Sequence, residues 1–139
     1  QKKYLKIYQN NLMNTNKLTI RINKPVSEVF DFTINPQNTP RWIDFIVEET
    51  TDSQEIKLGT RYTNRDNEGK VNLYELTHFD TNKVFELKSI PLFYTVKYTY
   101  TAISDTETEL EYFEYVESGE LSSPFPMSAM QKLKEVLEK

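Results

Sequence analysis

No cysteine occurs among the 139 residues. Disulfides, a thiol nucleophile and thiolate metal ligands are therefore excluded. One histidine, His78, and one tryptophan, Trp42, are present. A lone imidazole leaves only carboxylate-based metal sites, and no D-x-D-x-D-G calcium loop can be read. Glycine is scarce, with only Gly59, Gly69 and Gly119. These give neither a P-loop nor a G-x-G-x-x-G stretch, and there is no G-x-S-x-G nucleophile elbow. No apolar run approaches the roughly 18 residues of a membrane span. The N-terminal QKKYLKIYQNNL carries basic residues without the continuous apolar core of a secretory signal. A net charge of −4 offers no general attraction to phosphate backbones, and the lysines and arginines alternate with acids. The expectation is a cytoplasmic protein with no nucleic-acid partner, no integral membrane segment, no cofactor or metal, and no catalytic residue readable from a motif.

What is abundant is aromatic surface: eight Phe and nine Tyr. Each buried tyrosine hydroxyl needs a hydrogen-bond partner. That suits a wet or ligand-lined interior, and exposed strand tyrosines suit the count equally. A chain of this length is most simply one domain, able to bury roughly two-thirds of its unfolded surface.

Residues 1–16 are polar and lack a period. They read as a weakly docked N-terminal extension, with Met13 a candidate native start. From Lys17 the chain runs KLTIRINKPVSEVFDFTINPQNTPRW. Leu18, Ile20 and Ile22 alternate with polar residues, as in a half-buried strand. Pro25 suits the first turn of a helix, and Val26, Val29, Phe30 and Thr33 share one face of it. Pro36 and Pro40 allow only a short second helix before Trp42. Six strands come next: Ile43–Thr51, Thr60–Asp66, Val71–Phe79, Lys83–Ile90, Phe93–Ile103 and Glu107–Ser118. Gly69 supplies the positive φ of one tight turn, and Asp80-Thr81-Asn82 and Pro91 mark others. Short links imply antiparallel pairing. The last helix, from about Pro124, places Met127, Met130, Leu133 and Leu137 on one face, which a sheet would bury.

This order of elements, with the phrase from Pro25 to Trp42, resembles the START-like, or SRPBCC, superfamily, which includes polyketide cyclases/dehydrases and lipid-transport proteins. Leu58-Gly59-Thr60-Arg61-Tyr62 resembles that superfamily's x-G-T-x-aromatic segment. Glu75–Asp80, Lys83–Leu87 and Thr108–Tyr112 resemble its later strands. The likeness covers residues 17–139. It implies an α+β helix-grip fold: a seven-stranded curved antiparallel sheet around a C-terminal helix, two short helices after strand 1, and a cavity between sheet and helix. The last helix is short for the superfamily, so the cavity is expected to be less covered.

Strand parity then proposes the lining. Pairing Ile103 with Glu107 sets Tyr100 opposite Leu110, Tyr98 opposite Tyr112 and Val96 opposite Glu114. A slip of one residue would mix apolar and polar faces. Carried back across the turns, this register puts Phe85 and Leu87, then Tyr74, Leu76 and His78, on the inner face. Leu73 and Phe79 argue for the opposite parity in that last strand. Trp42, Tyr62, Phe85, Leu87, Tyr98, Tyr100, Tyr112 and Met130 are expected to border one cavity with Tyr74, His78 and Glu114. Phe113, Tyr115, Thr99 and Lys97 are expected on the convex side.

Alternatives stay open at several positions. Glu114 is either a pocket carboxylate or a rim residue meeting Lys or Arg. His78 is either a proton carrier or a solvent-exposed residue near a turn. Trp42 is either at the pocket mouth or a plug beneath the short helices. An apolar wall with sparse polar groups suits binding or carriage of a hydrophobic small molecule, lipid-like or polyketide-like, by a monomer or weak homodimer. The alternative is a cyclase or dehydrase using pocket Tyr, His or Glu for proton transfer. A third reading is an interaction protein whose sheet face binds a partner.

Overall fold

The computed structural model describes residues 14–91 and 93–139. The chain runs β1 (Thr15–Ile22), α1 (Val26–Ile34), a 3₁₀ helix (Pro36–Arg41), β2 (Ile46–Thr51), β3 (Arg61–Asp66), β4 (Val71–Asp80), β5 (Val84–Ser89), β6 (Tyr94–Ser104), β7 (Glu107–Val116) and α2 (Met127–Glu138). The strands form one seven-stranded sheet in the order β1-β7-β6-β5-β4-β3-β2, with every neighbouring pair antiparallel. This is the α+β architecture that the sequence implies. β1 begins at Thr15, two residues before the expected domain start. Residues 1–13 of the expected N-terminal extension lie outside the described residues.

Local chemistry explains the helical corner. Pro25 sits just before α1 in extended backbone, and its carbonyl accepts from the Glu28 and Val29 amides. α1 buries Val29, Phe30 and Thr33, while Val26 packs on the core from a half-buried position. The Asn35 side chain accepts from the Gln37 amide at 3.0 Å and opens the 3₁₀ turn, a common capping role for Asn. Trp42 comes directly after it and is 1% exposed.

The β6–β7 register is as expected: Tyr100 faces Leu110, Tyr98 faces Tyr112 and Val96 faces Glu114. Ile103 does not pair with Glu107. It is the extra residue of an irregularity between Ala102 and Ser104, and Ser104 takes the place opposite Glu107. Phe113, Tyr115, Thr99 and Lys97 lie together on the convex face, along a shallow groove.

β4 resolves its conflict of parity through a bulge. Leu76 pairs with Leu87, yet His78 pairs with Glu86 and Phe79 with Phe85. Thr77 is the inserted residue. Tyr74 and Leu76 therefore share the inner face with Phe79 across the bulge, and His78 is turned outward. An extra residue in one strand does this because the side-chain period of a strand is two.

α2 starts three residues beyond Pro124. Its buried residues are Ala129, Met130 and Leu133. Met127, expected in the apolar stripe, occupies the first turn and is 36% exposed. The helix packs chiefly on β1. The Lys134 ammonium donates to the Arg21 carbonyl at 2.8 Å, and Glu138 accepts from the Asn23 amide at 2.7 Å. An ion pair joins Lys132 to Asp44. The helix thus covers the β1 end of the sheet, and the remaining concave surface is covered by other segments.

Candidate ligand cavity

A cavity of about 530 Å³ lies over the concave face of β2–β7, within the range of small-molecule sites. Its roof is the segment between β7 and α2, from Ser118 to Phe125, together with Thr33, Thr39 and Ile43 from the helical corner. No α2 residue lines it. The expected cavity between sheet and C-terminal helix is therefore displaced, because α2 lies at the β1 end. Exposed Phe45, Lys70 and Phe93 stand on its outer edge.

Tyr62, Tyr74, Phe85, Leu87, Tyr98, Tyr112 and Glu114 all line this space. Four expected site residues do not. His78 is exposed on the convex side, turned there by the Thr77 bulge. Met130 is fully buried in the core beneath α2. Tyr100 turns its ring edge-on to Phe30 at 5.1 Å and bonds the Thr33 hydroxyl at 2.6 Å, so its polar end is fixed to α1. Trp42 lies behind the wall, edge-on to the lining rings of Tyr98 at 6.3 Å and Phe125 at 5.8 Å. Its Nε1 is buried without a hydrogen-bond partner.

Glu114 is 2% exposed, and among the described residues its donors are neutral rather than Lys or Arg. The Tyr94 hydroxyl donates to Oε1 at 2.6 Å. The Asn16 amide donates to Oε2 at 2.8 Å, and the Phe125 backbone amide to the same oxygen at 2.6 Å. The carboxylate on β7 thus ties together β1, β6 and the roof segment. Tyr94 and Tyr112 both line the cavity beside Glu114.

Glu49 is the site residue that parity along β2 does not reveal. Simple alternation from inward Ile46 would turn Glu48 in and Glu49 out. The register shifts between Ile46 and Glu48, so Ile46 and Glu49 both line the cavity while Val47 and Glu48 are exposed. Glu49 accepts from the Thr39 hydroxyl at 2.6 Å and from the Asn64 amide at 3.2 Å. Asn72 donates to Asn64 at 3.0 Å, completing a polar strip across β2–β4. The detectable signal for Glu49 lay in β3: with Tyr62 inward, Asn64 is inward too, and Glu49 is its partner. Tyr94 was legible in the same way, two residues before inward Val96.

Burial holds the Glu49 carboxyl above its ordinary value, against the opposing hydrogen bonds from Thr39 and Asn64. Burial, and after it the charges of Glu49, Glu114 and Asp66, pushes the Tyr74 phenol up to about 12. Tyr98 and Tyr112 are also raised well above the ordinary phenol value, chiefly by burial, as are Tyr62 and Tyr94. These phenols stay protonated at ordinary pH. They act as neutral hydrogen-bonding groups and aromatic surface, and the carboxyl oxygens add further hydrogen-bond acceptors. Among the described residues no cluster of three or more potential metal ligands occurs.

No family model and no curated protein matches the sequence. Solved structures do match the fold. The protein XoxI from Bacillus cereus superposes with a TM-score of 0.72 at 10% identity, covering 91% of this chain and 97% of that one. A START superfamily protein from Mycobacterium smegmatis gives 0.70 at 12% identity, over 89% of this chain and 97% of that one. Protein NE0264 from Nitrosomonas europaea gives 0.69 at 14% identity, over 91% and 95%. The chain has the START-like, SRPBCC-type fold.

Proposed function

We propose that this chain binds or carries a hydrophobic small molecule, lipid-like or polyketide-like, in the cavity over β2–β7. The observation that carries this reading is the cavity itself, about 530 Å³ lined by Phe85, Leu87 and the rings of Tyr62, Tyr74, Tyr98 and Tyr112. Apolar area supplies affinity there, and a few polar groups supply orientation. The START-like fold supports a ligand-binding role by analogy of architecture. No helix among the described residues is long and apolar enough to cross a membrane.

One observation favours the second reading, a cyclase- or dehydrase-type enzyme. Glu49 is a lining carboxyl whose proton affinity is raised by burial, the direction that suits a general acid. His78 takes no part in that reading, since it stands on the other face of the sheet. The test is mass spectrometry of small molecules released from natively purified protein, then incubation of the protein with whatever is found. Recovery of an apolar compound unchanged after incubation supports carriage. Its conversion with loss of water or ring closure supports the enzyme. Protein that carries nothing and takes up no apolar compound contradicts both.

A further inference from the structure

Resting on the ligand-binding reading, we infer that the cavity selects apolar molecules that carry a protonated amine, seated against Glu49. The lining holds two inner carboxylates, Glu49 and Glu114, and a third, Glu120, that is exposed on the roof segment. Among the described residues, its sole cationic side chain is Lys70, exposed at the outer edge. The hydrogen-bond donors to the two carboxylates, among the described residues, are neutral: Tyr94, Asn16 and the Phe125 amide at Glu114, and Thr39 and Asn64 at Glu49. Hydrogen bonds from neutral groups satisfy lone pairs without cancelling charge, so negative potential remains inside an apolar enclosure.

The two carboxylates are not equivalent. Glu114 is 2% exposed, with both oxygens engaged: one takes the Phe125 amide of the roof and the other the Tyr94 hydroxyl of β6. Glu49 is half-buried and opens onto the cavity, with acceptor capacity beyond its two donors. Tyr62, Tyr74 and Tyr98 line the same cavity as Glu49, so aromatic rings share the enclosure an ammonium would enter. Ring faces attract cations, most strongly where water is excluded. An ammonium therefore gains a charge-assisted bond and aromatic contact together. A fatty-acid-like carboxylate would meet like charge and, among the described residues, no buried cation.

The test compares three ligands of nearly one shape on the full chain: naphthylmethylamine, naphthylmethanol and naphthoate, with affinities measured by calorimetry. The expected ranking is amine above alcohol by about tenfold or more, the size of a charge-assisted bond gained over a neutral one, with naphthoate weakest. Glu49→Gln should bring the amine to within about twofold of the alcohol. If the alcohol binds and the amine binds no better, or naphthoate binds best, the inference is overturned while the ligand-binding reading stands. If none of the three binds, that reading falls as well. Undiminished preference for the amine in Glu49→Gln removes Glu49 as the seat. Should that variant fail to fold, the wild-type ranking decides selectivity. Nuclear Overhauser contacts from the ligand's aminomethyl protons to the Tyr74 and Tyr98 rings then decide location, and their absence in a bound complex overturns the placement.

Discussion

The Phe125 backbone amide donates to the Glu114 carboxylate over 2.6 Å, and the Phe125 ring stacks on Tyr112 with centroids 4.2 Å apart. A single side chain of β7 thereby anchors the roof of the cavity, since the same oxygen also takes the Asn16 amide of β1. In Glu114→Gln the new NH₂ must face one set of existing donors. A loss of about 1–2 kcal/mol is expected, and Glu114→Ala should lose more because the buried donors are stranded. Urea denaturation measures both. An unchanged midpoint in Glu114→Gln would show that the roof is held by other contacts.

Glu49 predicts a pH dependence. Its folded-state value lies above the ordinary 4.5. Between those two values the unfolded chain has lost a proton that the folded chain keeps, so this group's contribution to stability falls as pH rises. Glu49→Gln abolishes that slope. Relative to wild type, the variant should gain stability as pH rises from about 4 towards neutrality, as read from denaturation at each pH. A difference that is flat, or that moves against the variant, would contradict the burial of this carboxyl.

Val96 lines the cavity between Leu87 and Glu114 on the neighbouring strands. Val96→Phe extends a ring into open volume rather than into packed core. Affinity for an apolar probe should fall by about tenfold or more, while the cost in stability stays below about 2 kcal/mol. Undiminished probe affinity would place the binding site elsewhere.

His78 stands on the convex side opposite Glu86. His78→Ala should leave ligand affinity unchanged and shift stability by no more than about 0.5 kcal/mol. A large loss of affinity would mean that the Thr77 bulge does not set the parity of β4.

The sheet was legible where side chains alternate without interruption. β6 and β7 do so from Val96 to Tyr100 and from Leu110 to Glu114, and their register and convex residues can be read directly. It was illegible at bulges. The irregularities at Val47 and Thr77 each flip the parity of the rest of their strand, hiding Glu49 and misplacing His78. Nothing in a period of two announces an inserted residue; only the neighbouring strand does, through Asn64 in one case and Phe85 in the other. The helical stripe of α2 correctly includes Met130 and Leu133, yet a stripe does not say which part of a sheet it covers. Packing of α2 on β1 moved Met130 into the core and gave the roof to Ser118–Phe125. Trp42 and Tyr100 likewise sit in the core outside the cavity: Tyr100 faces inward as the strand pattern requires, but its hydroxyl is taken by Thr33 of α1, and Trp42 is placed by the end of the 3₁₀ turn.

The most direct test of the central claim is a nuclear magnetic resonance titration of the assigned protein with an apolar ligand such as naphthylmethanol. Saturable shifts at Leu87, Val96, Tyr98, Tyr112 and Phe125, with Lys97, Phe113 and Tyr115 on the convex face unmoved, are the expected result. Shifts confined to the convex face, or no saturable shift at any concentration the ligand reaches, would contradict a ligand-binding cavity in this fold.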